Sequence, residues 1–187
     1  MTTNYKIVLA SASPRRSEIL KNAGFDFTVR VSNADETLPE GISPENAVKL
    51  LAEIKASAVE RNKGEIIIGA DTVVCLDDKI LGKPKNYDEA FEMLKSLSGR
   101  SHFVYTGVCG ITDSDKICFA EKTEVTFSEM TDKEISGYIE TGDCFDKAGG
   151  YGIQGYASRF ITGIKGDYFN VVGLPIGRIY KKILEKT

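Results

Sequence analysis

The stretch from Ile66 to Leu76 (IIIGADTVVCL) constrains this chain more than any other. It is apolar almost throughout and far shorter than the roughly 20 residues a membrane helix needs. Asp77-Asp78 follows as a turn and Ile80-Leu81 as a short return strand, so the run reads as a buried strand. One residue breaks it: Asp71 has nothing charged for several positions on either side. Burying an ionised carboxylate costs several kcal/mol unless it is paired, hydrogen-bonded or metal-bound. Asp71 is therefore either a structural acid accepting backbone N–H groups at a strand end or a functional one, and its apolar setting favours the second. Gly69 beside it suggests a kink or a close backbone approach.

Around this strand, helical and extended patterns alternate. Tyr5 to Ala10 reads as a buried strand, and Ser13-Pro14 opens a helix to about Ala23, with Gly24 as its stop. Residues 25–42 read as a strand and an exposed loop. Ser43-Pro44 opens a helix to about Asn62, with Ala47, Val48, Leu51, Ile54 and Ala58 on its apolar stripe. Asp88 caps a helix to about Leu97. Two β-rich segments follow near 101–112 and 116–128, joined by a polar turn. Thr131 to Glu134 spells a capping box, with a helix to about Glu140. Residues 141–158 are glycine-rich and irregular, Phe160 to Ile164 reads as a strand, and Pro175 opens a final amphipathic helix. The interleaving predicts an α/β fold with a mixed sheet flanked by helices, in a single domain over residues 1–187.

Composition removes several functions. The net charge is -3 and the pI near 5.4, so a broad basic face for nucleic acid is not expected. No apolar run is long enough to span a membrane, and Met1 is followed by polar residues, which predicts a cytoplasmic protein. The four cysteines, Cys75, Cys109, Cys118 and Cys144, form no CxxC pair and are expected as buried, reduced thiols. A single histidine, His102, leaves no room for multi-histidine metal sites within one chain. The chemistry must come from carboxylates, lysines, arginines and a hard metal.

Other residues depart from what a fold alone would choose. Arg15 and Arg16 fall in the first turn of a helix, whose positive end prefers acids; two arginines there suit phosphate oxygens, unless they are simply solvated. Lys55 lies within an apolar stripe, where it either snorkels to water or holds its ammonium over a site. In Gly82-Lys83-Pro84 the proline keeps Lys83 extended. Glu36 sits in the loop 33–41. Lys147 to Gly155 (KAGGYGIQG) spells G-x-G-x-x-G, but no apolar strand precedes it, so the dinucleotide reading is rejected. It remains a tight loop presenting Lys147 for phosphate and Gln154 for a base edge.

Taken together, LASASPRR (Leu9 to Arg16), Glu36, Lys55-Ala56, GADTVV (Gly69 to Val74), GKP (Gly82 to Pro84), KAGGYGIQG and VVGLP (Val171 to Pro175) resemble the Maf nucleotide pyrophosphatases, in that family's order over nearly the whole chain. The resemblance implies an elongated mixed sheet with a central cleft, similar to the inosine triphosphate pyrophosphatases. The GYGIQG form resembles the subgroup acting on dTTP and UTP, giving the nucleoside monophosphate and diphosphate. It implies Asp71 as proton acceptor, with Arg15, Thr72 and Gln154 tuning base choice. Ser11, Ser13, Arg16, Glu36, Lys55, Lys83 and Lys147 complete the implied substrate site. Glu36 and Asp71 are the expected ligands of a divalent cation, Mg²⁺ or Mn²⁺. A nucleoside triphosphate is the expected partner, without nucleic acid or membrane, and a homodimer is compatible with the sequence. The rival functions are a nucleotide-binding regulator of cell division with little turnover and a purine-specific pyrophosphatase.

Overall fold

The computed structural model describes residues 5–31 and 34–185. A mixed, seven-stranded sheet organises the chain, in the order β2-β1-β3-β5-β6-β7 with β4 paired to β3. The strands are β1 (Lys6–Leu9), β2 (Phe27–Val29), β3 (Glu65–Leu76), β4 (Lys79–Leu81), β5 (Ser101–Ile111), β6 (Lys116–Phe127) and β7 (Ile161–Lys165). The helices are α1 (Pro14–Asn22), α2 (Pro44–Ser57), α3 (Tyr87–Leu97), α4 (Asp132–Ile139), α5 (Tyr168–Val172) and α6 (Ile176–Ile179), the last running into a π-helical turn, Tyr180–Leu184. β1 is parallel to β2 and β3, whereas β4 is antiparallel to β3 and β7 to β6. Among the described residues no helix is long and apolar enough to cross a membrane.

The local chemistry accounts for most of these elements. Asp77 and Asp78 both take positive φ, 48° and 61°, which is what a two-residue hairpin turn between β3 and β4 demands. Thr131 and Glu134 form the full capping box at α4. Helix α3 starts two residues earlier than predicted, because Asn86, not Asp88, accepts the Glu89 N–H and caps it. Helix α2 ends at Ser57 rather than near Asn62: Val59 turns into the core, and Asn62 instead donates its N–H to the Glu65 carboxylate. Ser13 does occupy the N-cap position of α1, but its side chain makes no capping bond.

The chain divides into two compact units. One comprises residues 1–71, 106–121 and 173–187; the other comprises residues 72–105 and 122–172. In the first, Val8, Ala10, Ala52, Ala56, Val59, Ile67 and Cys109 share a core. Here α2 lies directly on the sheet. A Cβ on Gly69 would sit 2.2 Å from the Ala52 carbonyl oxygen, and one on Gly107 2.0 Å from that of Val48. The two glycines let the backbones meet, and small alanines fill the contact line. The buried stripe is therefore Ala47, Val48, Leu51, Ala52 and Ala56, with Ala58 exposed, which corrects the predicted stripe. Cys109 and Cys118 form a disulfide between β5 and β6, correcting the expectation of four reduced thiols, while Cys75 and Cys144 are buried free thiols.

The second unit closes around Leu94, Leu97, Phe127, Ile135 and Tyr151. His102 belongs to this core: it is 1% exposed, with its Nε2 2.6 Å from the Tyr151 hydroxyl and Phe127 packed edge-on against its ring. Burial drops its pKa to about 4, so the imidazole is neutral and structural.

Candidate active site

Side chains alternate along a strand, so Asp71 lies on the same face of β3 as Gly69. That is the face against which α2 rests, and Lys55 stands beside Ala56 on the helix. The close approach at Gly69 thus brings a lysine and an acid together from distant positions. Lys55 Nζ donates to Asp71 Oδ1 at 2.5 Å, and the two side chains are only 16% and 14% exposed. The same ammonium lies 3.1 Å from Glu36 Oε2, on the loop before α2. Pairing meets the cost of placing Asp71 in apolar surroundings, and deleting Lys55 would leave a buried acid uncompensated.

The turn after β1 contributes the next group. Buried Ser11 accepts from Arg16 Nη1 at 2.9 Å and from the Ser13 N–H at 3.2 Å. Arg16 Nε donates to the Gly173 carbonyl at 2.8 Å. Desolvation lowers the Arg16 pKa, the Asp71 charge opposes that shift, Arg15 adds to it and Glu36 opposes it. Ser11, Arg16, Glu36, Lys55 and Asp71 therefore form one electrostatic group within the first unit, with Arg15 beside them on the first turn of α1. Gly173 is the member that sequence reasoning passed over. Its signal lay in VVGLP, whose glycine takes φ 120° just before buried Leu174.

The remaining expected residues belong to the second unit. Thr72 follows Asp71 on β3 and, by strand alternation, faces the other way. Lys83 is exposed after β4, and its neighbour Gly82 accepts the Gly149 N–H at 2.9 Å, tying that turn to the glycine-rich loop. Gly149 itself takes φ 71° against Val74, leaving no room for a side chain. Gln154 is exposed on the same loop. Lys147, expected on phosphate, has its ammonium enclosed by the Asp143 carbonyl at 2.6 Å, Asp143 Oδ1 at 2.7 Å and Asp146 Oδ1 at 2.6 Å.

Among the described residues, no three His, Cys, Asp or Glu side chains gather as a ready-made metal cage. Glu36 and Asp71 nevertheless converge on one cationic position. Two carboxylates completed by substrate phosphate oxygens are the donor set Mg²⁺ prefers over an all-protein cage, so these residues fit such an ion.

The Maf-like protein family model matches residues 6–186. The chain is 51% identical over 179 residues to a dTTP/UTP pyrophosphatase of Bacillus cereus, across 95% of this chain and 94% of that protein. The dTTP/UTP pyrophosphatase of Bacillus anthracis matches with the same identity and coverage, 51% over 179 residues and 95% and 94%. Among solved structures, a nucleoside-triphosphatase/dITP/XTP pyrophosphatase from Mycobacterium abscessus aligns with TM-score 0.40 and 15% identity, covering 67% of this chain and 75% of that one. The Staphylococcus aureus Ham1 protein aligns with TM-score 0.45 and 19% identity, covering 65% and 71%.

Proposed function

The chain belongs to the Maf family, and from that premise we propose that it hydrolyses dTTP and UTP to the nucleoside monophosphate and diphosphate. The observation that carries the chemistry is the Lys55–Asp71–Glu36 group, an acid held in an apolar strand by a lysine from another element. The substrate brings about four negative charges at neutral pH, and cations aimed at phosphate are the protein's main resource for such a transfer. Arg15, Arg16, Lys55 and Lys83 neutralise the phosphates, aided by the positive end of α1. Asp71 Oδ1 holds Lys55, and Oδ2 takes the proton from the attacking water. The water oxygen adds to the α-phosphorus, and the bond from that phosphorus to the bridging oxygen breaks, releasing diphosphate. Glu36 and Asp71 would hold Mg²⁺ or Mn²⁺ together with phosphate oxygens, where the ion neutralises developing charge. Gln154 reads the base: a site built to hydrogen-bond one base rejects others because its polar groups are then left unpaired.

The test is a nucleotide panel with Mn²⁺ or Mg²⁺, scored for products. Monophosphate and diphosphate should form from dTTP and UTP well ahead of GTP and ATP, and a chelator should stop turnover until metal is restored. Release of nucleoside diphosphate and phosphate would refute attack at the α-phosphorus. Tight nucleotide binding without product would replace the enzyme with a binding module.

A further inference from the structure

Lysine has three N–H donors, and all three on Lys147 are taken by Asp143 and Asp146. An ammonium so satisfied offers no donor to phosphate without breaking local bonds. What it does instead is visible in the glycines. A Cβ on Gly152 would lie 2.7 Å from Lys147 Cε, and one on Gly155 would lie 2.6 Å from Asp143 Oδ2. Gly155 has φ -101°, a backbone any residue adopts, so glycine is needed there for space and not for conformation. The segment 152–155 therefore rests on the Lys147–Asp143 pair, touching the lysine stem at one end and the carboxylate at the other. Gln154 lies between these two points of support.

Asp143 is itself fixed from further sides. The Tyr138 hydroxyl of α4 donates to its Oδ2 at 3.4 Å, and its own N–H donates to Thr141 Oγ1 at 3.2 Å. Burial, with the Asp143 charge adding to it, pushes the Tyr138 pKa up, so this phenol stays a neutral donor. We infer that Asp143 is a positioning residue for base selection: paired with Lys147 it forms the floor that sets where the Gln154 amide is presented. This rests on the reading of Gln154 as the base-reading group and adds what holds it in place. Functional groups need placement within about 0.5 Å to act, and an exposed loop supplies that only when something rigid lies beneath it.

The experiment is a double-mutant cycle between Asp143→Ala and Gln154→Ala, reading kcat/KM for dTTP against GTP, with thermal melts as the fold control. Asp143→Ala should change the dTTP:GTP ratio about tenfold when Gln154 is present, as expected for a misplaced contact. In the Gln154→Ala background the same substitution should change the ratio less than about twofold, since no amide remains to be misplaced. Asp143→Asn, which keeps an acceptor for Lys147, should recover most of the wild-type ratio. If Asp143→Ala fails to fold, Gly155→Ala takes its place, because its methyl displaces the same carboxylate from the other side. A wild-type ratio in folded Asp143→Ala and Gly155→Ala, beside a changed ratio in Gln154→Ala, would overturn the inference alone. An unchanged ratio in Gln154→Ala would remove the base-reading assignment and the inference with it.

Discussion

Among the described residues, Lys55 and Lys147 each hold two carboxylates, and the partners come from different places. Lys147 pairs with Asp143 and Asp146, four and one residues before it in the same loop. Lys55 pairs with Glu36 and Asp71, from a preceding loop and a following strand. A local pair needs only a turn of chain and stiffens that turn. A long-range pair exists only because α2 sits down on β3 at Gly69, and it puts charge where the core would otherwise be apolar. In the function proposed above, the first is scaffold, and the second is the site.

The sharpest way to break that contrast is Asp71→Asn, which keeps the shape and removes the proposed base. It should lower kcat about 10²–10⁴-fold, the usual worth of one general base, with little change in melting temperature, measured by diphosphate release from dTTP. Lys55→Met should lower kcat/KM by about 10–100-fold, corresponding to one lost charge-assisted contact of about 1.5–3 kcal/mol. Lys147→Met in the same assay should affect the dTTP:GTP ratio more than the rate on dTTP. If the two lysine variants lose activity equally with unchanged selectivity, the distinction between scaffold and site fails.

Acid separates the two units in a further way. His102, in the second, has its pKa lowered to about 4 by burial. The unfolded chain, with an ordinary value near 6.5, binds the proton first, so stability falls as pH drops from about 6.5 toward 4. The loss approaches about 3 kcal/mol, and His102→Gln should flatten melting curves across that range. Glu65, in the first unit, is held at about 2 by Arg30 and the Asn62 N–H. Its contribution is complete above about 4.5 and fades only as pH falls toward 2. Arg30→Ala should therefore weaken the protein at neutral pH and shrink the acid-induced loss below pH 4.5, a smaller effect seen by the same melts.

The sequence made legible what depends on local pattern or on an affront to it. Asp71 stood out because nothing else between Ile66 and Leu76 is charged, and Lys55 because it interrupted an apolar stripe. The Thr131 capping box and the Asp77-Asp78 turn were readable from spacing alone. What stayed hidden depended on the other side of a contact. The α2 stripe was misplaced because glycines on β3 and β5 decide which helical face lies down. Asn86 took the cap from Asp88 because both residues are good caps and they lie only two positions apart. The Cys109–Cys118 link requires the β5–β6 register, which no CxxC spacing announces. Gly173 acts through a backbone carbonyl, which every residue has, so its role with Arg16 left no side-chain signature.

The measurement that bears most directly on the account follows product formation from dTTP in water labelled with ¹⁸O, in wild type and in Asp71→Asn. The label should enter dTMP and not diphosphate, and the Asp71→Asn rate should collapse while nucleotide still binds. Label in the diphosphate, or full turnover without the Asp71 carboxylate, would contradict the assignment of this acid as the base for attack at the α-phosphorus.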